Sequence, residues 1–247
     1  LVPHFEKMLY DNAQLASAYL HGWLLTRQED FRRICESTLD FIAAELSSEV
    51  AAGPASRRAF CSSLDADSEG EEGKYYLWSL DEIHQALPPA QARLFCAAYG
   101  VSEEGNFEGK NVLQQAASLE ELARQFNLAP SEVVRQLEAG CQILLQIRRR
   151  RQPPRRDDKA LTAWNSLALI AYAEAGRYLQ RQDYTQIARA TADFLLTELR
   201  VNRKLMRSWR NGNARHNAYL EDIAGLALGL IALYQSDPDV RWFETAV

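Results

Sequence analysis

The sequence contains four cysteines in 247 residues, Cys35, Cys61, Cys96 and Cys141, and no Cys-x-x-Cys pair. That spacing argues against a structural zinc site and favours a reduced, cytoplasmic setting. No apolar run approaches the roughly 18 residues that a membrane span needs, and no signal peptide is visible. An excess of basic charge is missing too: 28 Lys and Arg stand against 33 Asp and Glu, a net charge of −5. A nucleic-acid role therefore has no global electrostatic support. The one basic run, residues 148–151 with Arg155 and Arg156, follows a long helical pattern, where arginines complement the helix dipole. No linker rich in Gly, Pro or Ser divides the chain, and no alternation of strands and helices suggests a parallel sheet. One domain over 1–247 is expected.

What is present is helical, and it repeats. Residues 13–26 are apolar on nearly every side, the mark of a helix buried all round, and His21 inside it reads as a core residue. Residues 29–46 alternate apolar and charged positions, as in a helix covered on one face. The pair returns at 164–180 and 183–199, where Asn12 falls on Asn165, Tyr19 on Tyr172 and Asp40 on Asp193 without a gap. A third inner helix at 219–234 begins another round, with 239–247 as the start of its outer partner. This is an internal repeat of helical hairpins, all-α in class. Between the first two pairs, 80–87, 90–99, 118–127 and 131–150 read as further helices, with a capping-box signature at Ser118 and Glu121.

The connections are unequal. Inner-to-outer breaks are short, whereas outer-to-inner connections such as 47–79 and 200–218 are long, polar and partly strand-like, at 75–78 and 204–209. In a ring of such hairpins the inner helices run parallel, so every long connection emerges on one rim. Function tends to sit on elaborated loops held by a rigid scaffold.

The most unusual stretch lies on that rim. Residues 65–73 hold five carboxylates and two glycines and then run into Tyr75, Tyr76 and Trp78. Asp65, Asp67, Glu69 and Gly70 occupy the first, third, fifth and sixth positions of a calcium loop, but the twelfth, which needs a bidentate glutamate, is Tyr76. No metal and no cofactor is expected. Other polar clusters fall where inner helices begin: His4, Glu6 and Lys7 with Asp11 and Asn12; Asp157, Asp158 and Lys159; Trp164 and Asn165; Glu221 and Asp222. Asn12 and Asp158 also suit helix capping. Two carboxylates about 5–5.5 Å or 6.5–9.5 Å apart hydrolyse a glycosidic bond, whereas sugar epimerisation moves a proton beside a carbonyl, work for a histidine. His4 is the best-placed base or acid. Asp67, Glu69, Asp158 and Asp222 are the partner acids. Glu6, Lys7, Asp11, Asn12, Asp65, Trp78, Asn106, Lys159, Trp164, Asn165 and Glu221 are the expected substrate contacts, with Lys7 and Lys159 fixing charge.

VPHFEKMLYDNAQL (2–15), LDADSEGEEGKYYLW (64–78), GNFEGKNVL (105–113), DDKALTAWNSL (157–167) and YLEDIA (219–224) resemble, in order, the motifs of the thioredoxin-domain-containing YyaL family, also called the spermatogenesis-associated protein 20 family. That family is similar in its helical part to N-acylglucosamine 2-epimerases and six-hairpin glycosidases. The resemblance implies an (α/α)6 toroid, incomplete in this chain, with short β-hairpins in its rim loops. It also implies an N-terminal thioredoxin-like domain as a partner in the full-length chain, absent here, which fits a sequence that starts at Leu1 inside a dense motif. Asn165-Ser166 stands where the family has Asn-Gly, and Asp222-Ile223-Ala224 where it has Asp-Tyr-Ala. Two functions follow from the fold. One is a carbohydrate-active domain of epimerase, isomerase or glycosidase type, with a sugar as its small-molecule substrate. The other is a non-catalytic module serving the thioredoxin-like domain.

Overall fold

A computed structural model describes residues 3–50 and 57–247, so 51–56 of the long first connection lie outside the described residues, as do Leu1 and Val2. Ten helices are found among the described residues. In chain order they are α1 (Leu9–Thr26), α2 (Glu29–Phe41), α3 (Leu80–Ala86), α4 (Pro89–Tyr99) and α5 (Leu119–Phe126). There follow α6 (Pro130–Arg148), α7 (Thr162–Tyr178), α8 (Gln182–Glu198), α9 (Leu220–Ser236) and α10 (Val240–Ala246). Their residues group into two compact units. The smaller holds residues 3–5 with Asp65–Arg155, and the larger holds Glu6–Leu64 with Arg156–Val247.

The larger unit consists of the three hairpins read from the repeat. The inner helices stand side by side in the order α1, α7, α9, and α2, α8 and α10 are their outer partners. Small residues let the inner helices approach. A Cβ on Gly229 would lie 2.8 Å from the Leu169 side chain, and one on Gly225 would lie 3.3 Å from that of Ser166. The central helix is the best covered, with Ala168, Leu169, Ala171, Tyr172, Ala173 and Ala175 all buried. Its Tyr172 hydroxyl donates to the Leu39 carbonyl of α2 at 2.6 Å, and the ring stacks on Phe60 at 5.5 Å.

The first inner helix departs from expectation. Only Leu9, Ala13, Ala16 and Leu20 of α1 are buried, and Leu15 and Leu25 are exposed. The reason is positional: α7 has an inner helix on either side, whereas α1 stands at the edge of the row. His21 is therefore not a core residue. Its side chain is 53% exposed, and its Nε2 lies 2.9 Å from a Glu174 carboxylate oxygen on α7.

Each outer helix of the first two hairpins leads into short strands. After α2, one π-helical turn (Ile42–Leu46) passes into Ser47–Val50, paired antiparallel with Arg57–Phe60. After α8, Lys204–Arg210 pairs with Asn213–Asn217 and with Ala160–Leu161, as the strand-like pattern of that connection suggests. These are the short β-hairpins of an α/α fold.

The smaller unit is built from α3 to α6 around Trp78, Ile83, Phe95 and Leu144. Ser79 with Glu82 and Ser118 with Glu121 form complete capping boxes at the starts of α3 and α5, each satisfying backbone N–H groups that the first turn leaves open. Pro89 and Pro130 open α4 and α6, positions where a missing N–H costs nothing.

All four cysteines are free thiols. Burial pushes both Cys35 and Cys61 up to about 12, and it also raises Cys96, whereas Cys141 is exposed. Because the thiolate is the nucleophile, native iodoacetamide labelling at pH 8 followed by mass spectrometry is expected to modify Cys141 first and to leave Cys35 and Cys61 intact. Early labelling of Cys61 would contradict its burial.

Candidate functional site

The acidic stretch is an ordered pair of turns. Asp67–Ser68 and Glu71–Glu72 pair antiparallel, joined by Glu69 (φ 54°) and Gly70 (φ 81°). Two positive φ values in a two-residue loop define the primed turn that matches strand twist. Gly73 (φ 70°) follows, and a Cβ there would lie 2.7 Å from the Phe5 ring, so two causes demand glycine at once. The Phe5 ring is buried against Tyr76 and Phe107, and His4, beside it, is exposed.

The strand expected over 75–78 does not form. Tyr76 and Leu77 both donate their N–H to the Gly73 carbonyl, and only Trp78 makes a single bridge, to Asn111. Arg151 explains the turn. Its Nη1 donates to the carbonyls of Lys74, Tyr75 and Leu77 at 3.4, 3.2 and 2.6 Å. A strand alternates the direction of successive carbonyls, so one guanidinium cannot collect these three from a strand. Arg151 also binds Glu82 at 2.9 Å and covers the Trp78 ring at 4.0 Å. Burial lowers its pKa, with Glu82 acting against that shift, and guanidinium chemistry keeps it charged. Trp78 is 3% exposed and its face is occupied, so it offers no open surface for a sugar ring.

Above these turns lies a polar cleft of about 210 Å³, bordered by Glu69, Lys74, Glu82, Lys110 and Gln152 over Tyr75 and Leu77. Lys74 pairs with Glu71 at 2.6 Å and with Glu69 at 3.6 Å. The Glu71 contact holds Lys74 above its usual value, and the same contact lowers Glu71. The Ser68 hydroxyl donates to the Gln152 carbonyl at 2.6 Å, and the Asp65 N–H donates to Arg155. Asn106 sits apart from this work. Its amide closes the 105–111 loop through the backbone of Val112, at 2.8 and 3.0 Å.

In the larger unit the starts of the inner helices converge. Lys7–Met8 pairs with Ser63–Leu64, which pairs with Arg156–Asp157, so the first and fourth motifs are neighbours in one small sheet. Tyr10 packs on Trp164 at 4.8 Å, and the adjacent Asp11 carboxylate raises Tyr10. Asp158 takes the Arg156 guanidinium at 2.6 Å, and Asp157 takes Lys159 at 3.0 Å. Neither Asn12 nor Asp158 caps a helix. Asn12 donates back to the Met8 carbonyl from inside α1, and the residue before α7 is Leu161.

Two residues are fully engaged. Asn165 accepts the Phe60 N–H at 2.8 Å and donates to the carbonyls of Phe60 and Leu161 at 3.0 Å each. Asp222, with 0% exposure, accepts the Ala163 N–H at 3.0 Å, the Tyr219 N–H at 2.9 Å and Arg207 at 3.1 Å. The first of these ties the start of α9 to the start of α7. Glu221, exposed, pairs with Arg207 at 2.6 Å.

Of the acids read from the sequence, Asp67 and Glu69 thus belong with His4 in the smaller unit, and Asp158 and Asp222 belong to the larger. Nothing in the sequence marks Arg151, Glu82, Lys110 or Arg207 as individuals. The arginine run is visible, but nothing in it marks Arg148 and Arg151 as the members that turn inward, over Tyr75 and Tyr76 and under the 74–77 carbonyls. Among the described residues no three His, Cys, Asp or Glu side chains are placed to hold a metal ion, and no helix is long and apolar enough to cross a membrane.

Inner and outer helical hairpins with β-hairpins in their long connections define an all-α protein of repeated α/α hairpins. No family model matches the chain. Over its whole length it is 33% identical to spermatogenesis-associated protein 20 of Homo sapiens and 30% identical to that of Mus musculus. The chain is thus a relative of the spermatogenesis-associated protein 20 family, as its motifs indicate, and it spans about a third of the length of the curated relatives it matches (35%). Among solved structures it is similar to a GH76 α-mannanase of Bacteroides thetaiotaomicron, at 11% identity and TM-score 0.36, over 97% of this chain and 59% of that one. It is also similar to a D-mannose isomerase, at 10% identity and TM-score 0.36, over 98% and 58%. At these scores the likeness decides nothing about chemistry.

Proposed function

We propose that this chain recognises a small polyhydroxylated molecule, a sugar, in the cleft above the acidic turns. The observation that carries this reading is the cleft itself: both signs of charge and an amide border a volume of about 210 Å³. That is below the roughly 300–1,000 Å³ of sites for drug-sized ligands and suits one ring. Hydroxyl groups both donate and accept, so Glu69, Lys74, Lys110 and Gln152 complement them without needing a charged ligand. In the finer form of this reading, epimerase or isomerase chemistry uses His4 as acid or base with Asp67 and Glu69, and glycosidase chemistry pairs carboxylates instead. Asp158 and Asp222 are assigned to positioning, because their oxygens are engaged by Arg156, Arg207 and backbone N–H groups.

A second reading, a non-catalytic module working with a thioredoxin-like domain, is favoured by the exposed apolar side chains Leu220, Leu228 and Ile231 of α9. A thermal-shift screen of mono- and disaccharides separates the two. A ligand at 100 times its Kd adds about 2.7 kcal/mol, and at about 2–4 °C per kcal/mol this raises Tm by roughly 5–10 °C. Stabilisation by one sugar class, lost in Lys110→Ala, is the expected result. A flat response across the panel overturns the carbohydrate reading.

A further inference from the structure

The charges that border the cleft above the acidic turns are matched among themselves, with one left over. Lys74 is paired with Glu71 and Glu69. Arg151 is paired with Glu82, whose other oxygen accepts the Ser79 N–H at 2.8 Å. Lys110 is different. It lines the cleft and is half-buried, yet among the described residues its ammonium has no ion-pair or hydrogen-bond partner. Its charge acts on Glu71 only at a distance, behind the larger influence of the Lys74 contact. A half-buried ammonium without a partner has given up hydration and received nothing in return.

The backbone around Lys110 is fixed on both sides. Phe107 and Lys110 exchange both of their N–H···O bonds, at 3.0 and 2.9 Å, across Glu108 (φ 47°) and Gly109 (φ 74°). This is a second tight turn with two positive φ values, as at Glu69 and Gly70. Asn111, next in the chain, exchanges both bonds with Trp78 at 3.1 and 2.8 Å. Its buried amide also donates to the carbonyls of Trp78 and Ser102. On the other side Gly105 lies so close to the Lys110 backbone that no side chain fits there. A rigid mount thus presents one unmatched cation to the cleft.

We infer that the cleft takes an acidic sugar, a single ring bearing one carboxylate, which pairs with Lys110 while the hydroxyls meet Glu69, Lys74 and Gln152. This inference rests on the sugar reading and narrows it to a substrate class. One ammonium balances one carboxylate. A phosphate monoester brings a charge of about −1.5 to −2, and Glu69 and Glu82 at the border oppose the excess. A neutral ring covers Lys110 without supplying a partner, so it gains less from the same contacts.

The test is calorimetric titration of the 247-residue protein at low salt with matched ligands: glucose, glucuronate and glucose 6-phosphate, and galactose with galacturonate. A uronate is expected to bind about tenfold more tightly than its neutral parent. Added salt should narrow that gap, since it screens the ion pair. Lys110→Gln should bring the ratio of uronate to neutral affinity close to one, and Lys110→Arg should keep it. Because the Lys110 side chain has no bonded partner, neither variant should change the Tm of the free protein. A neutral sugar that binds as tightly as its uronate overturns this inference and leaves the sugar reading standing. A uronate preference that survives Lys110→Gln also overturns it, as does tighter binding of the phosphate. If neither neutral nor acidic sugars bind, both readings fall.

Discussion

Asp222→Ala is expected to destabilise the protein by about 3 kcal/mol, the lower end of the roughly 3–5 kcal/mol for breaking a buried charged pair. The lower end applies because the Arg207 side chain keeps 29% exposure and part of its hydration. The loss also leaves the Ala163 and Tyr219 N–H groups without their acceptor, and buried donors without partners are costly in themselves. At about 2–4 °C per kcal/mol the Tm should fall by roughly 6–12 °C. Glu221→Ala removes the other carboxylate from the same arginine, but that carboxylate is 60% exposed, and the expected cost is within about 1 kcal/mol. Urea unfolding with an unchanged slope reads both. Equal effects from the two variants would mean that Asp222 is not the clasp between α7 and α9, and its assignment to positioning would fall with it.

Arg151→Ala should cost about 2–4 kcal/mol. It removes charge-assisted bonds to three carbonyls and to Glu82, each worth about 1.5–3 kcal/mol in isolation but sharing one geometry, together with the contact over Trp78, about 0.5–2 kcal/mol. Arg151→Lys should recover less than half, because an ammonium cannot reproduce the planar fork. A distinct signature accompanies the loss. The Tyr76 and Leu77 amides, bonded to the Gly73 carbonyl, should exchange hydrogen far faster while those of α7 stay protected. If exchange rises equally in both places, the effect is global unfolding and Arg151 has no special hold on the turn.

The helical repeat was legible because its signal is periodic and long. The α7 and α8 pattern falls on that of α1 and α2 without a gap, and the capping box at Ser118 carries its own local chemistry. What escaped was set by partners far away in sequence. Tyr75, Tyr76, Leu77 and Trp78 have strand propensity, yet Arg151 bends them into a turn from more than seventy residues away. His21 lies in an apolar helix whose exposed side is decided by how many neighbours the row supplies, which composition does not encode. Asn165 and Asp222 stand out in the sequence as polar residues at helix starts. The sequence could not tell that Asn165 would hold Phe60, or that Asp222 would hold Ala163 and Arg207. A buried polar residue that clasps backbone and one that touches substrate look alike in one dimension.

The order of the two units along the chain has a consequence in time. The larger unit is interrupted, with the ninety-odd residues of Asp65–Arg155 inserted between its halves. During synthesis at about 5–20 residues per second, α1 and α2 leave the ribosome roughly 5–20 s before α7 arrives to cover them. The inserted unit has no such wait, since its helices are contiguous. The first hairpin therefore waits for its cover while the inserted unit is made. Its Leu39, Ile42 and Leu46, fully buried in the finished structure, spend that interval without the helix that shields them, and it is there that a chaperone would find its longest opening.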